Sequence, residues 1–219
     1  MMRSLTYGAM GLRSKVTLAG FLLCGVAAPL KAETVHLLAL GDSLTQGYGL
    51  IEQDGFVPQL RSWLADHGHD VRIVNAGVSG DTTAGGASRL GWSLSEAPDA
   101  AIVELGANDG LRGIPTQDTR QNLNAILSAL AEQDIPVLFA GMLAPPNMGK
   151  EYGADFSRVF EDLSSEHDVI YYPFFLDGVA GDLSLNQPDG IHPNRAGVDV
   201  IVERILPYAE RLVERAKGE

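Results

Sequence analysis

The stretch Leu37-Leu38-Ala39-Leu40-Gly41-Asp42-Ser43-Leu44-Thr45-Gln46-Gly47 decides how the rest of the chain is organised. An apolar run of strand character, Val35 to Leu40, stops at a glycine, and an acid and a serine follow. Such an unbroken apolar run suits a strand covered on both faces, the usual state of strands in parallel sheets. A serine at the carboxyl end of that strand sits on the edge where α/β sheets bind ligands, because the loops there leave a crevice. A serine hydroxyl is a weak nucleophile until a base removes its proton. The candidate base lies near the other end of the chain, in Asp189-Gly190-Ile191-His192-Pro193.

Each motif has an ordinary structural explanation when taken alone: a strand-to-turn glycine for the first, a capping acid before a surface histidine for the second. Two further polar motifs fall at the ends of expected strands between them. Val71 to Asn75 reads as a strand and runs into Ala76-Gly77-Val78-Ser79-Gly80-Asp81-Thr82-Thr83, where the glycines permit a tight turn and Asp81 or Thr82 can cap a helix. This loop lacks both the dinucleotide-binding glycine spacing and the Gly-Lys-Ser/Thr of a phosphate loop. Ala100 to Leu105 reads as the third strand and gives way to Gly106-Ala107-Asn108-Asp109-Gly110.

Helical stripes alternate with these strands. Val57, Leu60, Trp63 and Leu64 recur at helical spacing, as do Leu123, Ile126, Leu127 and Leu130, then Phe156, Val159, Phe160 and Leu163, and finally Val198, Ile201, Val202, Ile205 and Leu212. Ile135 to Ala140 and Val169 to Phe175 supply the fourth and fifth strands. His67, His69 and His167 fall at helix ends and read as solvated surface residues. Strand-helix alternation implies crossovers between parallel strands and helices on both faces of the sheet. The expected fold is therefore α/β: a three-layer α/β/α sandwich on a central, mainly parallel five-stranded sheet, flavodoxin-like, with every strand-end loop at one edge.

Residues 1–32 differ from the remainder. Arg3, Arg13 and Lys15 precede the apolar run Val16 to Leu30, and Lys31-Ala32 closes it, the layout of a secretory leader cleaved after Ala32. The run is shorter than the roughly 20 residues of a spanning helix, so no stable membrane anchor is expected after cleavage. Cys24, the single cysteine, lies in this leader, and the mature protein would then have no thiol for disulfides, catalysis or metal binding. Losing four lysines and arginines would take the net charge from −12 to −16. An acidic chain without a basic patch argues against nucleic-acid binding. Residues 33–219 show no linker, repeat or low-complexity tract and read as one domain, a monomer, periplasmic or secreted.

Gly41-Asp42-Ser43-Leu44, Gly80, Gly106-x-Asn108-Asp109 and Asp189-x-x-His192 together resemble the four blocks of the SGNH (GDSL) hydrolases, in the same order. The resemblance covers essentially the whole chain after the leader. It is nearest to the small exported bacterial enzymes described as thioesterase, protease and lysophospholipase, or as arylesterases. It implies Ser43 as nucleophile, His192 as general base and then acid, and Asp189 as the carboxylate that orients His192. It implies an oxyanion hole made by the backbone N–H groups of Ser43 and Gly80 and the side-chain amide of Asn108, and no metal or cofactor.

The implied substrate is a small acyl ester, thioester or lysophospholipid, cleaved through an acyl-serine. Alternatives are a carbohydrate O-acetylesterase and a non-catalytic lipid- or glycan-binding protein on the same fold. The long stretch from Gly141 to Gly153 is expected to form a wall of the substrate site, with Pro145 and Tyr152. Gly110, Leu111 and Ile114, in the segment up to Pro115, are expected to form a mobile cover over the site, and Ile191 to complete the contacts.

Overall fold

In the computed structural model, which describes residues 1–2 and 34–218, the apolar stretches become five strands. These are β1 (Val35–Gly41), β2 (Val71–Gly77), β3 (Ala100–Glu104), β4 (Val137–Ala140) and β5 (Ile170–Tyr172). All neighbours pair in parallel, in the order β2-β1-β3-β4-β5. Every residue of β3 and β4 is buried, as the unbroken apolar reading requires. The fourth and fifth strands are shorter than expected. Pro136 precedes β4 and Pro173 follows β5, and proline has no N–H to give to a ladder.

Among the described residues there are seven α-helices: α1 (Ser43–Gln46), α2 (Phe56–Asp66), α3 (Thr83–Ser93), α4 (Ala107–Arg112), α5 (Thr116–Ala131), α6 (Lys150–Glu166) and α7 (Arg195–Lys217). The stripes read from the sequence are their buried faces. Helices α2 and α7 pack together, and α3, α5 and α6 pack in succession, which builds the two outer layers of the α/β/α sandwich. Phe56, Phe139, Phe156, Phe160 and Phe175 are fully buried in the core, each such side chain contributing roughly 1.5–3 kcal/mol by leaving water.

The order β2-β1-β3 means that the chain leaves β1 in one direction and returns past it in the other, which opens a crevice between the ends of β1 and β3. Register sharpens this. Gly41 lies opposite Gly77 of β2 and Glu104 of β3, so Ser43, Gly80 and Asn108 each follow within a few residues of one row. A Cβ on Gly77 would lie 2.3 Å from the Gln46 nitrogen, so only glycine lets α1 settle against the end of β2.

The chain divides into two units, Met1–Lys31 and Ala32–Glu219, and the sheet belongs to the second. The expected leader, its cleavage point after Ala32 and Cys24 lie outside the described residues, apart from Met1 and Met2. Among the described residues, no helix is long and apolar enough to cross a membrane.

Candidate active site

Ser43 is the first residue of α1, directly after the end of β1. Asp42 caps this helix, its Oδ1 accepting from the Leu44 N–H at 2.9 Å. A helix of four residues has too few turns to show a period, so the sequence read the same stretch as a turn. The cap matters because it fixes the direction in which the Ser43 hydroxyl leaves the backbone.

The other end of the chain comes to that hydroxyl. His192 Nε2 lies 2.9 Å from Ser43 Oγ, and His192 Nδ1 lies 2.7 Å from Asp189 Oδ2. Asp189 Oδ1 accepts from the backbone N–H groups of Ile191 and His192, both at 3.1 Å. Burial alone would raise the Asp189 pKa, but the hydrogen bonds from the His192 ring and backbone and from Ile191 N–H outweigh it and hold the carboxyl at about 2. Asp189 is thus ionised and accepts through both oxygens, which leaves Nδ1 as the protonated nitrogen and Nε2 free to receive the Ser43 proton.

Two residues that sequence reasoning missed hold this loop. Gln187 Nε2 donates to the carbonyls of Tyr48 at 2.7 Å and Pro193 at 2.9 Å, tying the histidine loop to the segment after α1. The Tyr48 ring lies 4.6 Å from the His192 ring, centroid to centroid. Nothing in the spacing of Tyr48 or Gln187 signals this, because the two are far apart in the chain and meet only through the fold.

Among the described residues, the backbone N–H groups of Ser43 and Gly80 have no hydrogen-bond partner in the protein. Gly80 has φ +83°, a left-handed conformation that favours glycine. Thr82, one of the two expected caps, caps α3 by accepting from Gly85 N–H at 3.4 Å. Asp81 instead pairs with Arg89 Nε at 2.6 Å, and Arg89 also donates to the carbonyls of Ala76 and Gly41. That one side chain thereby ties the ends of β1 and β2 to the residue after Gly80. Asn108, in the first turn of α4, donates from Nδ2 to Asp42 Oδ2 at 3.0 Å, which leaves its second amide hydrogen for a ligand. Buried Asp109 accepts from Thr83 N–H and Thr83 Oγ1, linking the start of α3 to α4.

Beneath the serine lie two fully buried acids. Burial pushes the Asp42 carboxyl up to about 6, against the hydrogen bonds from Leu44 and Asn108 that favour its charged form. Burial, reinforced by the nearby Asp42 charge, pushes Glu104 well above the ordinary carboxylate range. Glu104 Oε2 accepts from Thr45 Oγ1 at 2.8 Å, while Oε1 has no partner among the described residues. Retaining a proton avoids an unpaired charge at that oxygen.

A cleft of about 490 Å³ opens over these groups. Ser43, Gly80, Asn108 and His192 all face it, and apolar residues from the loops after β4 and β5 form its far wall, including Met142, Leu143, Phe174 and Leu176. Of the expected substrate contacts, Leu111, Pro145 and Ile191 line the cleft. Gly110, Ile114 and Tyr152 are not among the residues that line it. Tyr152 lies in α6, and its hydroxyl donates to the Ile114 carbonyl at 2.8 Å. Gly110 is buried in α4, where a Cβ would touch Ala144 and Phe156. The expected mobile cover is thus the end of α4, closed by Gly113 at φ +63° and braced from behind by Tyr152.

Residues 39–200 match the model of the GDSL-like Lipase/Acylhydrolase family. Esterase TesA of Pseudomonas aeruginosa PAO1 is 40% identical over 184 residues, covering 84% of this chain and 92% of the relative. Thioesterase 1/protease 1/lysophospholipase L1 of Escherichia coli K12 is 36% identical over 179 residues, 81% of this chain and 84% of the relative. The crystal structure of AlinE4, an SGNH-hydrolase family esterase, superposes with a TM-score of 0.70 at 42% identity, over 82% of this chain and 96% of that one. A serine-histidine-aspartate array on a parallel sheet, four sequence blocks at its edge and a family match across the sheet all agree: this chain belongs to the GDSL-like lipase/acylhydrolase, or SGNH hydrolase, family.

Proposed function

We propose that the protein hydrolyses carboxylic esters and thioesters, lysophospholipids among them, through an acyl-serine formed on Ser43. The observation that carries this reading is the continuous chain from Ser43 Oγ through the His192 ring to Asp189, with links of 2.9 and 2.7 Å. Ser43 Oγ attacks the acyl carbonyl carbon as Nε2 of His192 takes its proton. The oxygen that gains the carbonyl electron pair sits among the N–H groups of Ser43 and Gly80 and the free amide hydrogen of Asn108. Collapse breaks the bond to the alcohol or thiol, which leaves with the proton from His192. Water then gives a proton to His192 and attacks the acyl-serine; the bond from the acyl carbon to Ser43 Oγ breaks, Oγ takes the proton back from His192, and the carboxylic acid is released.

The lining of the cleft supports an acyl chain rather than a bare acetyl group. Its volume falls in the range of ligand pockets, and its wall after β4 and β5 is mostly apolar. Residues 1–32 act as a cleaved leader that delivers the enzyme to the periplasm or medium as a monomer. Its basic start and apolar run support that reading, and mass spectrometry of the exported N-terminus tests it.

The chemical test is labelling by a fluorophosphonate probe together with hydrolysis of p-nitrophenyl esters of increasing chain length. Wild type should react with the probe and Ser43→Ala should not, with turnover falling about 10⁴- to 10⁶-fold. Full activity in Ser43→Ala would overturn the assignment. A strict preference for acetyl esters would favour the O-acetylesterase instead.

A further inference from the structure

The sheet order divides the surroundings of Ser43 into two unlike sides. The apolar wall comes from the loops after β4 and β5, beyond β3, whereas β2 lies on the opposite side of β1 and delivers Ser79 and Gly80. An acyl chain lying along the apolar wall would leave the β2 side for the leaving group of the substrate. There Arg112, exposed at the end of α4, reaches across to Gly80. Its Nη2 donates to the Gly80 carbonyl at 2.7 Å, so the guanidinium is held beside a residue of the candidate oxyanion hole.

Charge and position together distinguish Arg112: of the three arginines among the described residues without a carboxylate partner, Arg61, Arg112 and Arg211, it is the one that hydrogen-bonds a residue lining the cleft. Seven of the ten arginines among the described residues pair with a carboxylate, as the excess of acids in this chain leads one to expect. Arg112 has no carboxylate partner among the described residues, and its contact with a carbonyl leaves its charge uncompensated and its other N–H groups open to solvent. The cleft lining itself has no lysine, arginine, aspartate or glutamate. An unpaired guanidinium beside an uncharged cleft, in a chain of net charge −12, is a local attractor for anions.

We propose that Arg112 recognises a phosphate ester in the leaving group and gives the enzyme a preference for phosphate-bearing acyl substrates. The proposal rests on the serine-hydrolase reading above. The phosphate chemistry is shared by two sources, the headgroup of a lysophospholipid and the phosphates of a coenzyme A thioester. Guanidinium suits either, because its fork of donors matches phosphate oxygens and one arm is already fixed by Gly80.

The test compares kcat/KM on matched substrates for wild type, Arg112→Gln and Arg112→Lys. One pair is a lysophosphatidylcholine and the monoacylglycerol with the same acyl chain. The other is an acyl-CoA and the acyl-pantetheine that lacks its phosphates. Arg112→Gln is expected to lower kcat/KM on the phosphate-bearing member about tenfold more than on its partner, the low end for a charge-assisted contact because the site is exposed. Arg112→Lys, which keeps the charge, should recover most of that selectivity, and added salt should erode the selectivity of wild type.

A response in the lysophospholipid pair alone identifies the lipid headgroup, and one in the thioester pair alone identifies coenzyme A; either supports the proposal. An equal fall on both members of both pairs, or no fall, overturns it and leaves Arg112 as a brace for Gly80. Hydrolysis of a p-nitrophenyl ester by wild type but not by Ser43→Ala is read alongside. Its absence would show instead that the serine-hydrolase reading has failed.

Discussion

Replacing Asn108 by alanine isolates one contribution to turnover. In the structure one Nδ2 hydrogen of Asn108 is committed to Asp42 Oδ2 at 3.0 Å, so only one hydrogen remains to meet the developing oxyanion. The loss is therefore that of a single donor, typically about 10²–10³ in kcat, or about 2.7–4 kcal/mol of transition-state stabilisation. Because the contact strengthens as the oxygen gains charge, KM should stay within a few fold. The same substitution strips Asp42 Oδ2 of its partner, and a buried acceptor left alone costs about 1–3 kcal/mol of stability. Two assays separate these effects: steady-state hydrolysis of a p-nitrophenyl ester at 25 °C, and urea unfolding at the same pH. A kcat within about threefold of wild type, or a defect confined to KM, would show that Asn108 does not donate to the oxyanion.

Asp189→Asn should keep the fold but lower kcat by about 10⁴, because the amide can no longer hold the His192 tautomer that leaves Nε2 free; activity within tenfold of wild type would refute its role. Glu104 has a folded pKa above its unfolded value, so its contribution to stability is complete below the unfolded pKa and is lost as pH rises toward the folded one. Glu104→Gln removes that dependence, and its Tm relative to wild type should improve from pH 4 to pH 8; a difference independent of pH would refute the raised pKa.

The local sequence determined the elements. Apolar runs of strand length, interrupted by stripes at helical spacing, can bury their faces only in a layered α/β sandwich, and all five strands and the long helices follow that reading. Leu105 and Val169 fall just outside their strands, and prolines trim the fourth and fifth. The serine and histidine motifs were legible too, because each keeps its chemistry within a few consecutive residues. The short helices α1 and α4 were not, since four or six residues complete too little of a helical period to leave a pattern.

Only the tertiary structure decided what stands around those motifs. Tyr152 and Ile114 looked like substrate contacts because the sequence places them in stretches near the site, yet Tyr152 is in α6 and its hydroxyl donates to the Ile114 carbonyl. Tyr48 acquires its place beside Gln187 and His192 across most of the chain length. The buried pair Asp42 and Glu104 arises because the register sets Gly41 opposite Glu104, a relation between strands that neither strand encodes alone. Periodicity is a property of neighbours in the chain, whereas burial, electrostatic coupling and the lining of a cleft are set by neighbours in space, and the strand order decides which residues those are.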